Sequence, residues 1–188
     1  MDRQILWDCH MHSSFSADSD TPMEVMIHRA VETGLQGITF TEHLDPDYPV
    51  TPDNLDFSLN IPAYKEKLAE LSDIYKDKIQ VRFGIELGLQ VHLKEYFKEL
   101  TRRYPFDFVI GSTHFIDRKD PAYPEFFEER GEANAYLQYF ETTLDNVSHL
   151  DDYDVAGHID YIVRYGPNKA AFYSYEAYRD ILDRILKA

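Results

Sequence analysis

The chain has 188 residues, of which 44% are hydrophobic, enough to close one sizeable core, and a single domain over residues 1–188 is expected. Its 34 acidic and 19 basic residues give a formal charge of −15, which repels nucleic-acid phosphates and anionic membrane surfaces and excludes extended polyanions as partners. One cysteine, Cys9, excludes an internal disulfide framework or a multi-thiolate zinc site, and no stretch approaches the roughly 18 apolar residues of a membrane span, so a soluble, cytoplasmic protein is expected.

The first element in chain order is a strand over Gln4 to His12, in which Ile5 and Trp7 suit a half-buried pleated surface. Thr21, Pro22 and Glu24 form a capping-box pattern ahead of a helix with Met23, Met26, Ile27 and Ala30 on one stripe, ending at Gly34. GITF at 37–40 reads as a short buried strand, and Tyr64, Leu68, Leu71 and Tyr75 line one face of the next helix. A third strand is expected over 79–89, followed by a helix through about Arg103. The fourth strand is expected over 106–115, then a long loop and a helix from about Glu132 to Leu150. The fifth covers 155–160, and a last helix is capped by Ser174. Five strand–helix units in order argue for a parallel sheet covered by helices, open or curved toward a barrel, with functional groups at the carboxyl ends of the strands.

Those ends carry the candidate chemistry: His10 and His12, Glu42 and His43, Glu86, His114, and His158 with Asp160. Side chains alternate along a strand, so Asp8, His10 and His12 are expected on one face and Cys9, as a small buried residue, on the other. His28, His92 and His149 stand outside the pattern and are read as ordinary surface or helix-end residues. Imidazole and carboxylate donors without thiolates suit a catalytic rather than a structural site, holding zinc, manganese or iron. Adjacent cations bridged by a carboxylate such as Glu86 suit phosphoryl displacement with activated water, which accords with the lack of a nucleophile-elbow motif. Bound cations would also let an acidic protein accept a small phosphorylated substrate.

The runs DCHMHS at 8–13 with Asp18, TEH at 41–43, GIE at 84–86, STH at 112–114 and GHID at 157–160 together resemble the metal motifs of the polymerase and histidinol phosphatase (PHP) superfamily. FDFVIGSTHFID and GHIDYIVRYG are similar, more narrowly, to its histidinol-phosphate phosphatases. The resemblance implies an α/β fold, a distorted (β/α)7 barrel of PHP type, here incomplete with about five β/α units and without the family's C-terminal ones. It implies two or three divalent metal ions, with His10, His12 and Glu86 at the first, Glu86, His114 and His158 at the second, and Asp18 and His43 at part of a third. Asp8, Glu42 and Asp160 would orient ligating imidazoles.

The implied activity is hydrolysis of L-histidinol phosphate, a step of histidine biosynthesis, by a metal-bridging hydroxide, with Glu86, His114 and His158 as its catalytic holders. Another small phosphate ester or nucleotide as substrate, or a metal-binding module without turnover, are the alternative readings. Arg164 is placed to grip a phosphate, and Arg118 lies in a long loop suited to covering the pocket. The family's last Asp-x-His element has no counterpart after Asp160, and the open edge this implies makes a homo-oligomer an expectation.

Overall fold

A computed structural model describes residues 5–168, 170–171 and 173–188. Contacts group the chain into two units: Met1–Pro46, Val50–Leu87 and Tyr104–Ile110 form the first, and Asp47–Pro49, Gly88–Arg103 and Gly111–Ala188 form the second.

In the first unit, β1 (Trp7–Met11), β2 (Gly37–Leu44), β3 (Gln80–Gly88) and the start of β4 (Phe108–Ser112) lie side by side in that order. β1 and β2 are parallel, as are β2 and β3. The β2–β3 register is regular from Gly37↔Gln80 to Leu44↔Leu87 and sets His43 opposite Glu86. The β1–β2 register slips: Asp8 pairs with Ile38 but Met11 with Phe40, so β1 carries one extra residue. The N–H of Met11 there donates to the Thr41 hydroxyl at 3.2 Å and that of His10 to Asp8 Oδ1 at 3.2 Å. This bulge breaks the strict alternation expected of Asp8, His10 and His12, and Cys9 is exposed on this outer strand rather than buried.

Helix α1 (Met23–Glu32) buries Met23, Ile27 and Ala30, and α2 (Ile61–Tyr75) buries Tyr64, Leu68, Leu71 and Tyr75, as their periodicity requires. The expected Thr21 capping box does not form. Pro22 is itself the N-cap, with ψ at 140°, which moves Thr21 one residue too far out to reach the third helical N–H. Gly34, at φ 79°, takes the left-handed turn that ends α1. The Tyr64 hydroxyl, wholly buried, donates to the carbonyls of Phe40 and Gly84 at 2.9 and 3.0 Å, fastening α2 onto β2 and β3.

The second unit holds α3 (Lys94–Arg103), the end of β4, α4 (Glu125–Arg130), α5 (Glu132–His149), β5 (Val155–Ala156) and α6 (Tyr175–Ile185). Its core gathers Phe126, Phe127, Tyr136, Tyr139, Phe140, Ile162, Ile181 and Leu182. Helix α4 occupies part of the expected long loop and buries Phe126 and Phe127. Strand β5 is shorter than expected, two residues followed by a turn and a 3₁₀ helix over Tyr161–Tyr165. The N–H of Gly157 donates to Gly111 O at 2.9 Å, which keeps this segment beside β4. Ser174 caps α6 as expected, accepting from the Ala177 N–H. Among the described residues, no helix is long and apolar enough to cross a membrane.

Candidate functional site

In the first unit, three neighbouring strands aim their last side chains at one carboxylate. Glu86 on β3 is wholly buried. Its Oε2 lies 3.8 Å from His10 Nε2, 3.4 Å from His12 Nε2 and 3.3 Å from His43 Nδ1. The bulge in β1 contributes to this convergence: the His10 and His12 rings are 4.9 Å apart, against the roughly 7 Å that separates alternate residues of a regular strand. His43 Nε2 faces Asp18 Oδ2 at 3.5 Å, and its Nδ1 faces Asp45 Oδ2 at 3.6 Å. Asp45, buried just past β2, escaped the sequence reading because one carboxylate beside a strand end carries no spacing signal.

The electrostatics favour a neutral His12 and a charged Asp18, the protonation states that bind cations. Burial, and then the neighbouring charge of His43, pull His12 down from 6.5 to about 4. The His12 and His43 rings stack at 4.2 Å and 14°, an arrangement that two imidazolium ions would resist. Burial raises the Asp18 carboxyl, but the hydrogen bond and charge of His43 outweigh it, and the group ends below the usual carboxylate range.

Two sets in this unit, His10/His12/Glu86 and His12/Asp18/His43, have donor atoms all within 4.8 Å of one another. Donors held about 2.0 Å from a tetrahedral ion stand roughly 3.3 Å apart, close to the spacings here, so the residues fit a small divalent metal. His10 Nδ1 meets the Thr41 hydroxyl at 2.7 Å, which leaves Nε2 on the Glu86 side. Glu42 lies beneath, wholly buried, and bonds Ser13 and Ser16 directly. Burial raises its carboxyl and the two serines oppose that rise. Asp8 accepts from the backbone of His10 and lines an edge cavity of about 360 Å³ with Met11, Thr21 and Val25.

In the second unit, His114 is buried two residues past β4, and His158 follows β5 at the same interval. Their rings are 5.5 Å apart, and both flank Tyr161, at 5.6 and 5.1 Å. The Tyr139 hydroxyl donates to Thr113 O at 2.5 Å and fixes the backbone that presents His114. A cavity of about 430 Å³ opens beside them, lined by His158, Asp160, Tyr161, Val163, Arg164 and Ala170. The Arg164 guanidinium lies 5.8 Å from the centre of the Tyr161 ring, with its donors exposed. Burial, the charge of Asp120 and the Tyr165 hydroxyl hold the Tyr161 phenol far above its ordinary value, so it stays protonated. Arg118 sits with Asp117 at the exposed tip of a tight turn, both at positive φ, closed by Ile116 and Lys119. It is not among the residues lining that cavity.

One clasp shapes this segment. Glu132 on α5 accepts from the Tyr136 hydroxyl at 2.7 Å and from Asn168 Nδ2 at 2.5 Å. Gly166 runs so close above that a Cβ there would lie 1.9 Å from the Tyr136 oxygen. His28, His92 and His149 are exposed and pair with Glu32, Asp47 and Asp145 respectively, apart from either cluster.

With this α/β fold and its two clusters, the chain belongs to the PHP family: the PHP domain matches residues 8–188. The resemblance read from the metal motifs is thereby borne out. A histidinol-phosphatase of Lactococcus lactis subsp. lactis is 37% identical over 96% of this chain and 66% of its own length. A Clostridium acetobutylicum protein named "Probable histidinol-phosphatase" is 31% identical over 97% of this chain and 68% of its own. The crystal structure of the Lactococcus lactis histidinol phosphate phosphatase, complexed with zinc, L-histidinol and phosphate, superposes with a TM-score of 0.89 at 36% identity. That match covers 96% of this chain and 68% of the other. The chain therefore spans about two thirds of the length of the curated relatives it matches.

Proposed function

We propose that the protein is a metal-dependent phosphomonoesterase that hydrolyses L-histidinol phosphate to histidinol and phosphate, the activity named for its relatives, in histidine biosynthesis. The observation that carries this reading is the buried Glu86 carboxylate facing three imidazoles at 3.3 to 3.8 Å, in a chain 37% identical to a histidinol-phosphatase. In this reading His10, His12 and Glu86 hold one divalent ion, Asp18 and His43 contribute to another, and His114 with His158 serve a further ion from the second unit. Zinc is favoured by the relative's bound metal, and the nitrogen and oxygen donors also accept manganese or iron. Bound there, a divalent ion polarises phosphoryl oxygens and makes water acidic enough to attack near neutral pH.

The chain's own side chains do the rest. Arg164 offers paired donors to two oxygens of the phosphate, and Tyr161 keeps its proton as a hydrogen-bond donor beside His158, whereas Arg118, at its exposed turn tip, stands outside this cavity. Asp160, exposed on the wall of the same cavity, supplies the negative charge that an ammonium-bearing alcohol would meet. A cytoplasmic location accords with the exposed Cys9 thiol. Self-association is supported by exposed Ile5, Leu6 and Val25 near β1, and light scattering on the purified protein reads it directly.

Phosphate release from histidinol phosphate, phosphotyrosine and nucleoside monophosphates, with zinc and with manganese, tests the assignment. Turnover of histidinol phosphate at least tenfold above the others is expected. Equal turnover of all would remove the specific substrate, and metal retention without any release would leave a binding module.

A further inference from the structure

The loop between β1 and α1 carries two buried serines that the metal chemistry does not itself use. Ser13 Oγ donates to Glu42 Oε1 at 2.5 Å, and the N–H of Ser13 approaches both carboxylate oxygens at 3.1 and 3.0 Å. Ser16 Oγ stands 2.5 Å from Glu42 Oε2, 3.0 Å from the backbone nitrogen of His43 and 3.4 Å from His12 Nδ1. A hydroxyl has one proton to give and two lone pairs to receive. Ser16 Oγ donates its proton to Glu42 Oε2, and the backbone N–H of His43, which can only donate, takes one lone pair. The lone pair that remains can only accept, and the atom facing it is His12 Nδ1.

We infer that Ser16 is a positioning residue that fixes His12 in the Nδ1–H tautomer, leaving Nε2 with a free lone pair on the side of Glu86. Two acceptors, His12 Nε2 and Glu86 Oε2, then face each other at 3.4 Å, an arrangement that a bound cation would relieve. The same hydroxyl ties β2 to the loop through His43, so one side chain sets both the orientation of His12 and the backbone that presents His43. Glu42 thus acts on the imidazole through Ser16 rather than by touching the ring. The inference rests on His12 being a metal ligand, and it does not depend on which phosphate ester is the substrate.

The test is the protonation pattern of the His12 ring in long-range proton–nitrogen correlation spectra of histidine-labelled protein, both metal-free and zinc-loaded. The wild-type chain is expected to show Nδ1–H and an unprotonated Nε2 before zinc is added, and the same pattern after. Ser16→Ala should give a mixture of tautomers in the metal-free protein and weaken zinc binding about 10- to 100-fold, with Ser16→Thr restoring both. Metal-free wild-type protein carrying the proton on Nε2 would overturn the inference. So would a folded Ser16→Ala protein that keeps the tautomer and the zinc affinity. Should Ser16→Ala not fold, the wild-type spectrum alone decides. An Nδ1–H tautomer in a protein that releases no phosphate from histidinol phosphate would sink the substrate assignment and leave this inference standing.

Discussion

The two units hold their functional side chains in contrasting ways. In the first, His43 and Glu86 sit opposite each other in a regular register, His10 lies in the β1 bulge and His12 directly follows that strand. A buried carboxylate and two serines hold the backbone from below. In the second, His158, Asp160, Tyr161 and Arg164 follow a two-residue strand on a turn and a 3₁₀ helix, stacked among tyrosines around a cavity. The first arrangement is dense around the buried Glu86, with His10 and Asp18 at its exposed rim, whereas the second is aromatic and accessible, with one arginine and one acid facing it. On the proposed function, sheet geometry would carry most of the ion binding, and substrate discrimination would fall to segments that can vary without disturbing the sheet.

That division breaks most decisively at Glu86. Replacing it with Gln keeps the shape but removes the charge that the three imidazoles share. Zinc content should fall, and kcat/KM for histidinol phosphate should drop at least about 100-fold, since several kcal/mol of electrostatic stabilisation leave with the ion. Arg164→Ala should spare metal content and raise KM by about tenfold to a hundredfold, the worth of a charge-assisted hydrogen bond to phosphate. Arg164→Lys should recover part of this, and Arg118→Ala, at an exposed turn tip, should change KM only a few-fold. If Arg164→Ala strips zinc as thoroughly as Glu86→Gln, the two regions are not separable in this way. The smallest effect on chemistry belongs to Gly166→Ala, which drives a methyl group into the Tyr136 hydroxyl and should cost about 1–3 kcal/mol in a denaturant melt. Adding Tyr136→Phe should return part of that loss because the colliding oxygen is gone.

Much of the scaffold could be read along the chain because periodicity encodes it. The α2 face of Tyr64, Leu68, Leu71 and Tyr75 is buried as its spacing requires, and the late-strand positions of His43 and Glu86 follow from two short apolar runs. What escaped depends on partners remote in sequence. The β1 bulge is held by the Thr41 hydroxyl 30 residues away, so no local pattern announces it, and with it went the expected burial of Cys9. Ser13 and Ser16 act on Glu42 across 29 and 26 residues, and a serine-rich loop carries no hint of that contact. Helix α4 is one short segment whose adjacent Phe126 and Phe127 give no helical period. The Thr21 capping box failed by a single residue, where a proline took the cap position itself.

The carboxylate and imidazoles gathered at the ends of β1, β2 and β3 are proposed to bind a divalent cation. Calorimetric titration of zinc into chelator-treated protein, paired with metal analysis of wild-type and His12→Ala, tests it most directly. Wild-type protein should take up at least one zinc ion per chain, and His12→Ala, which removes a donor common to both sets in the first unit, should lose at least one. Chelated protein that takes up no zinc, or a folded His12→Ala variant with unchanged stoichiometry and affinity, would contradict it.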